Sequence, residues 1–261
     1  MRALSIAASG MQAQQLNVDV ISHNIANMNT TGYKRQRAEF QDMLYQNMER
    51  PGSTSSASGN ILPLGVQLGV GVSADAVGRV TEQGGISQTG NEYDLMINGR
   101  GFFQVTLPSG QTAYTRAGNL AVNADGEIVT TDGFPVEPSI TIPQEAVAVQ
   151  VTADGIVEVT LQTQTDPQQV GQLEIATFIN PAGLEAIGDN LFLETPASGD
   201  ANVATPGTEG YGTIIQGALE ISNVNAVEEI SALIVAQRAY EMNARVITAA
   251  DEMLQATSQL R

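Results

Sequence analysis

The distribution of proline and glycine divides this chain into two ends that can be helical and a middle that cannot. All ten prolines, and every glycine except Gly10, lie between residues 29 and 223. Both residue types disfavour helix interiors. The segments 1–28 and 224–261 are therefore predicted to form long helices, and because they flank one insertion we expect both ends to return to the same place.

Each predicted helix carries two rows of apolar residues on nearly opposite sides. Within a row the spacing alternates between three and four residues, and the second row is offset by two residues, or about 200° around the helix. The residues predicted to mediate self-assembly through these rows are Leu4, Met11, Val18, Ile21, Ile25, Met28, Ile230, Leu233, Tyr240, Met242, Val246, Ile247, Met253, Leu254 and Leu260.

Two opposed apolar rows need partners on two sides. If the terminal helices only paired with each other, each would leave one row in water. A helix buried in an ordinary globular core is also apolar all round, so the periodicity alone does not separate the two cases. No third long helix is predicted to cover the pair, which favours a polymer. Identical copies that meet head to tail without closure form a helical tube.

The middle of the chain is predicted to be an antiparallel β domain. Short alternating runs separated by turn residues are typical of strands. Asp-Gly stands between such runs in three places, and it is a strong hairpin signal because glycine accepts the positive φ of tight turns. The predicted strands are residues 93–97, 101–105, 126–130, 146–151, 156–161 and 171–179, and the turns are 123–128, 130–135 and 152–157.

Together these patterns predict an α+β fold with three parts. The terminal helices would pair as a coiled-coil-like polymerisation domain of residues 1–45 and 217–261, with the β domain, residues 73–216, inserted between them. Residues 46–72 would form an extended arm, because a Gly/Ser-rich tract typical of linkers continues there into the apolar run ILPLGVQLGVGV. That continuation indicates packing on a neighbour after assembly.

The charge distribution argues against several partners. The formal net charge is −17, and residues 117–237 contain seventeen acidic residues and no lysine or arginine. Such a surface repels nucleic acid and anionic lipid, so we expect neither nucleic-acid binding nor membrane insertion. No apolar run approaches the roughly 20 residues of a membrane span. The N-terminus lacks the features of a cleaved secretory signal.

No catalytic, cofactor or metal site is predicted. The chain has no cysteine, and His23 is its only histidine, which excludes thiolate sites and histidine clusters. The NGRG segment at 98–101 lacks the Gly-Lys-Ser/Thr of a phosphate loop, and residues 123–127 lack the spacing of a calcium loop. A hairpin explains each segment.

The segment SHNIANMNTTGYKRQRAEF (22–40) resembles the N-terminal signature of flagellar rod and hook proteins, and QGALEISNVNAVEEI (216–230) resembles their C-terminal motif. INGRGFFQV (97–105) and residues 114–136 look like β-domain motifs of the same family. Leu120 departs from the family, in which an aromatic residue is common there. The motif residues are Asn24, Asn27, Asn29, Gly32, Tyr33, Lys34, Gly217, Leu219, Glu220, Ser222, Asn223 and Asn225. Among them, Gly32 suits a helix stop and Ser222 or Asn223 suits the N-cap of the last helix.

The resemblance implies a non-enzymatic structural subunit, most similar to the distal-rod branch of the family. Such a subunit would be exported without a cleaved signal and would polymerise under a rod cap into the rod that crosses the periplasm. That rigid drive shaft transmits motor torque and forms the wall of the export channel. Its partners would be further copies of itself, proximal-rod and hook proteins, and the surrounding basal-body rings. The arm at 46–72 would brace neighbouring copies and stiffen the shaft.

Two alternatives remain open on the residues alone. A proximal-rod or hook-like subunit would share the motifs but differ in length and in the arm. An extracellular β adhesion module on a coiled-coil stalk would form a discrete dimer or trimer with stable helical ends instead of an open-ended polymer.

Overall fold

The structure, a computed structural model, describes residues 2–49, 65–162 and 166–259. It consists of two long helices and a β-rich middle, so the α+β class is confirmed. Helix α1 spans Arg2–Ala26 and helix α2 spans Ala226–Gln259. Both lie in the segments that lack proline and, apart from Gly10, glycine.

Twenty strands lie in the described residues between the helices. They are β1 Gln36–Asp42, β2 Tyr45–Glu49, β3 Val66–Gly69, β4 Val72–Arg79, β5 Ile86–Gln88, β6 Leu95–Asn98, β7 Phe102–Thr106, β8 Thr112–Thr115, β9 Leu120–Val122, β10 Ile128–Thr130, β11 Val136–Glu137, β12 Ala146–Val151, β13 Ile156–Leu161, β14 Gln168–Gln172, β15 Ile175–Thr177, β16 Glu185–Gly188, β17 Leu191–Leu193, β18 Asn202–Ala204, β19 Thr213–Gln216 and β20 Ala218–Glu220.

The largest sheet has seven strands in the order β16-β17-β8-β7-β15-β18, with β11 also paired to β7. A second sheet has the order β12-β13-β14, and both sheets are antiparallel. The remaining ladders are the two-stranded pairs β1-β4, β2-β3, β5-β20, β6-β19 and β9-β10. Short ladders of this kind are expected because the chain reverses direction every few residues.

The chain divides into two units, which we call the helical unit and the β unit. The helical unit comprises residues 1–25, 36–78 and 225–261, and the β unit comprises residues 26–35 and 79–224. The core of the β unit is built from alternate residues of its strands; Val157 and Val159 of β13, for example, are fully buried. Leu120 belongs to this core at 5% exposure, so the aliphatic residue fills the position.

The Asp-Gly turns form where they are predicted. Gly126 and Gly155 have φ of 85° and 79° and connect β9 to β10 and β12 to β13. The third turn closes through a hydrogen bond from Phe134 N to the Thr130 side chain, but β11 then pairs with β7. The predicted strand 171–179 is wrong as a single element. It divides into β14 and β15, which belong to different sheets.

Candidate assembly site

The two terminal helices lie side by side and antiparallel within the helical unit. Near the end of α1, Asn24 donates a hydrogen bond to the Glu229 carboxylate in the first turn of α2. In the middle, Gly10 faces the side chain of Asn243 so closely that a Cβ there would lie 2.8 Å from its Nδ2. At the start of α1, Leu4 borders a cavity of about 180 Å³ that is also lined by Leu254 of α2.

The buried face of α2 differs from both predicted apolar rows. Its buried residues are Glu229, Ala236 and Ala250, and Asn243, which Gly10 contacts, occupies the same seven-residue spacing. This line runs between the two predicted rows. Hydrophobic periodicity does not reveal this line, because small and polar residues, which carry little hydrophobic signal, form the contact where the two backbones approach closely.

Much of the apolar surface of α2 is exposed in the single chain. Val235, Met242 and Met253 are 68%, 61% and 65% exposed. The single chain therefore does not shield these rows, whereas an ordinary globular core would.

The predicted self-assembly residues differ in exposure. Ile21 is buried. Leu4, Met11, Val18, Ile25, Leu233 and Ile247 are half-buried. Met28, Ile230, Tyr240, Met242, Val246, Met253 and Leu254 are exposed, and Leu260 lies outside the described residues.

Asn24 ties α1 to the segment that follows it. Its Oδ1 accepts a hydrogen bond from the Gln36 backbone N–H at 2.9 Å, and its Nδ2 donates to the Gln36 carbonyl at 2.8 Å. The same Nδ2 lies 3.2 Å from the Glu229 carboxylate, and Asn24 is 1% exposed. One buried amide therefore joins α1, β1 and α2 inside the helical unit.

Asn225 is the N-cap of α2, so the prediction of Ser222 or Asn223 is wrong. Its Oδ1 accepts from the backbone N–H of Val227, the second residue of the helix, and its Nδ2 donates to Glu228. A side-chain oxygen at this position satisfies an otherwise unbonded helix N–H. Ser222 accepts instead from Val224 N. The helix begins two to three residues later than its sequence suggests.

Glu220 is the centre of a buried charge cluster in the β unit. Its two carboxylate oxygens lie 2.5 Å from Lys34 Nζ and 2.6 Å from Arg116 Nε, and it also accepts from Gly84 N at 2.8 Å. Burial alone would raise the pKa of Glu220, but Arg116 and Lys34 outweigh it and hold the pKa below its ordinary value. Burial lowers the pKa of Lys34 in spite of the neighbouring carboxylate. Lys34 and Glu220, two of the predicted motif residues, therefore form an ion pair.

Arg116 completes the cluster, and sequence reasoning did not single it out. Its remaining guanidinium hydrogens reach the carbonyls of Ile97, Gly99 and Gly101, and it is 6% exposed. A buried arginine needs a carboxylate and several carbonyls around it. In the sequence, Arg116 could have been identified by its position as the last basic residue before 121 residues without lysine or arginine.

Asn223 and Gly32 hold the two motif segments together without capping a helix. Asn223 accepts from Arg35 N at 2.7 Å and donates to the carbonyls of Val80 and Glu82. The prediction that Gly32 stops α1 is wrong, since the helix ends at Ala26. Gly32, with φ of 69°, donates to the Glu220 carbonyl and packs against the Arg116 backbone, where a Cβ would lie 2.8 Å away.

The other motif residues occupy turns and the strand β20. Asn27 accepts from Thr30 in the turn after α1, and Asn29 is exposed there. Gly217 has φ of 73° and bonds to Asp94, while Leu219 is half-buried in β20. Tyr33 is also half-buried. In the described part of the chain, no helix is long and apolar enough to cross a membrane.

Three family profiles match successive parts of the chain. Residues 4–34 match "Flagella basal body rod protein", residues 96–159 match "Flagellar hook protein FlgE/F/G D1 domain", and residues 215–260 match "Flagellar basal body rod FlgEFG protein C-terminal". These matches include most of the residues in the two charge and amide clusters described above.

Full-length relatives agree with the profiles. The chain is 62% identical over 261 residues to the flagellar basal-body rod protein FlgG of Caulobacter vibrioides, which covers 100% of both chains. It is 51% identical to FlgG of Agrobacterium fabrum over 99% of both, and 37% identical to FlgG of Bacillus subtilis over 100% of this chain and 99% of the relative. The chain therefore belongs to the FlgG family of flagellar basal-body rod proteins.

Proposed function

We propose that this chain is the structural subunit of the distal flagellar rod and that it polymerises through its terminal helices into a rigid tube. Membership of the FlgG family supports the rod. The observation that supports polymerisation is the exposure of large apolar side chains along α2, such as Val235 and Met242, which neighbouring copies would cover. Burying such a side chain contributes about 1.5–3 kcal/mol, so the rows provide a strong driving force for assembly.

The helix pair would pack as a short coiled-coil-like unit inside each subunit. The seven-residue spacing of Glu229, Ala236, Asn243 and Ala250 supports this proposal, since a heptad keeps one line of residues facing a partner helix. The small residues Gly10 and Ala236 allow close approach. The domains would be residues 1–45 with 217–261 for polymerisation, 46–72 for the arm and 73–216 for the β domain.

The remaining roles follow from the position of such a tube. The subunit would leave the cytoplasm without a cleaved signal, assemble under a rod cap in the periplasm, and join proximal-rod proteins to the hook. The rod would turn within the basal-body rings, transmit torque and enclose the export channel. The relatives are rod proteins by name, and we propose that this chain likewise has no enzymatic activity.

The assembly rows can be tested with the double variant Val235→Glu/Met242→Glu. Both side chains are exposed in the single chain, so the free energy of unfolding should change by no more than about 0.5 kcal/mol per site. Polymerisation of the purified chain, followed by sedimentation and electron microscopy, should be lost because charges would be buried between copies.

Arg238→Glu provides the matched control, since it changes the net charge by the same amount on the same helix. We expect this control to polymerise. A double variant that assembles like the wild type would contradict the proposal, and so would a wild-type chain that forms only discrete dimers or trimers with stable helical ends, as the adhesion alternative requires.

A further inference from the structure

A cavity of about 280 Å³ opens in the β unit beside the Glu220 cluster. Four cationic side chains and three aromatic rings stand in its wall: Lys34, Arg79, Arg100, Arg116, Phe102, Phe178 and Phe192. No carboxylate from the described residues lines it. Sites for drug-sized ligands measure roughly 300–1,000 Å³, so this cavity has room for one or two side chains but not for a large cofactor.

Two of the four cations have charges that the protein does not compensate. Lys34 and Arg116 share the single carboxylate of Glu220. Arg79 lies half-buried with its guanidinium 4.6 Å from the centre of the Phe192 ring, and burial lowers its pKa. Across the parts of the chain that the structure describes, neither Arg79 nor Arg100 has a carboxylate within ion-pair distance. A half-buried guanidinium without an anion is costly, so the cavity favours an anionic occupant.

The cavity is also the main positive feature of an acidic unit. The β unit contains eighteen acidic residues and five basic ones, and four of those five line the cavity. Copies packed side by side would repel each other unless acidic groups of one copy met cations of the next. The rings supply apolar walls for the stem of a glutamate, and arginine binds a carboxylate through paired hydrogen bonds.

We propose that this cavity binds an aspartate or glutamate side chain of a second copy of the chain, held by Arg79 and Arg100. The partner carboxylate comes from residues 117–237, which contain seventeen acidic residues and no lysine or arginine. This docking rests on the proposed function, because it requires copies in lateral contact. The proposal gives a role to Arg100 of the NGRG segment, a segment that lacks the features of a phosphate loop.

The chain is suited to a cross-linking test because Lys34 is its only lysine. Arg100→Lys keeps the charge and adds one amine at the cavity, and a carbodiimide joins an amine only to a carboxylate in contact with it. Polymer would be assembled from a mixture of normal and nitrogen-15-labelled full-length copies. We expect peptides that link the introduced lysine of one copy to an acidic residue of another, and no such peptides in Arg100→Gln.

A second measurement tests the contribution to assembly. Arg79→Met/Arg100→Gln keeps an apolar contact with Phe192 and removes both uncompensated charges. The critical concentration for polymerisation should rise by roughly tenfold to a hundredfold, the effect of a lost hydrogen bond to a charged group. Arg37→Gln, whose arginine is exposed and pairs with Glu39, should leave it unchanged.

The outcomes separate this docking from the proposed function. A polymer in which the introduced lysine couples only within its own chain, or not at all, would refute the docking and leave the rod subunit standing. An unchanged critical concentration in the double variant would do the same, provided that its unfolding transition matches that of the wild type. A wild-type chain that stays monomeric would refute both.

Discussion

Glu220 shows how a single side chain can hold distant segments together. Its partners Lys34 and Arg116 lie 186 and 104 residues away in the chain, yet both contacts are 2.6 Å or shorter. Two cations share one carboxylate, so the buried cluster keeps one net positive charge, and the carbonyls around Arg116 stabilise it. The cluster therefore depends on Glu220 more than on either cation.

Glu220→Gln should lower the free energy of unfolding by about 3–5 kcal/mol, the usual effect of removing one partner of a buried ion pair. The glutamine keeps the shape but leaves two buried cations without an anion. Urea unfolding followed by circular dichroism measures the loss. Glu185→Gln, at an exposed position in β16, should change stability by less than about 0.5 kcal/mol, and equal losses in the two variants would contradict the assigned role.

The pH dependence of stability follows from the lowered pKa of Glu220. A carboxyl group whose folded pKa is lowered stabilises the fold fully above its ordinary value of 4.5, and this stabilisation is lost as pH falls through the folded value. Urea unfolding of the wild type should therefore show a steeper loss of stability in acid than Glu220→Gln. Parallel curves for the two proteins would show that Glu220 does not titrate as proposed.

Gly118→Ala tests a close backbone approach between the segment that joins β8 to β9 and the strand β6. A Cβ at Gly118 would lie 1.6 Å from the carbonyl oxygen of Leu95, which is backbone and cannot move aside cheaply. We expect a loss of at least about 1–3 kcal/mol. Gly78→Ala is the matched control, because an added Cβ there would have no atom within 4 Å apart from its own chain neighbours, and it should be neutral or slightly stabilising.

At the scale of elements, the start of α2 depends on one cap. Asn225→Ala should reduce stability by about 0.5–2 kcal/mol because Val227 N loses its acceptor. Asn225→Ser keeps a capping oxygen and should retain most of the stability. Thermal unfolding followed by the helical circular-dichroism signal compares the two variants. An alanine variant as stable as the serine variant would show that the cap contributes nothing.

Across the whole molecule, we propose that the arm of residues 46–72 braces neighbouring copies and so stiffens the polymer. Strands β2 and β3 pair at its two ends in an exposed ladder, and residues 50–64 lie outside the described part of the chain. Deleting residues 50–66 should yield polymers that bend, because copies would lose a brace. Electron micrographs give the persistence length, and unchanged stiffness would refute the proposal.

Replacing residues 50–66 with a Gly/Ser linker of equal length separates the effect of the length of the segment from the effect of its side chains. If the apolar part of the arm packs on a neighbour, the replaced polymer should bend as much as the deleted one. A stiff polymer with the replaced linker would show that the length of the segment matters and its side chains do not.

Local signals in the sequence were sufficient to predict the helical ends, the Asp-Gly turns and the family. Each depends on residues close together in the chain, where periodicity and the φ angles of glycine act directly. The same signals missed the line of Glu229, Ala236 and Ala250 that faces α1, because hydrophobic periodicity does not detect small and polar contact residues.

Which charges are buried depends on contacts between segments far apart in the chain. Nothing near Arg116 or Lys34 in the sequence identifies Glu220 as their shared partner, since ion pairs form between segments that the fold brings together. Composition, periodicity and short motifs were enough to predict the kinds of elements and the family. The position of the N-cap, the split of residues 171–179 between two sheets, and the cationic cavity depended on long-range packing, which local propensity does not encode.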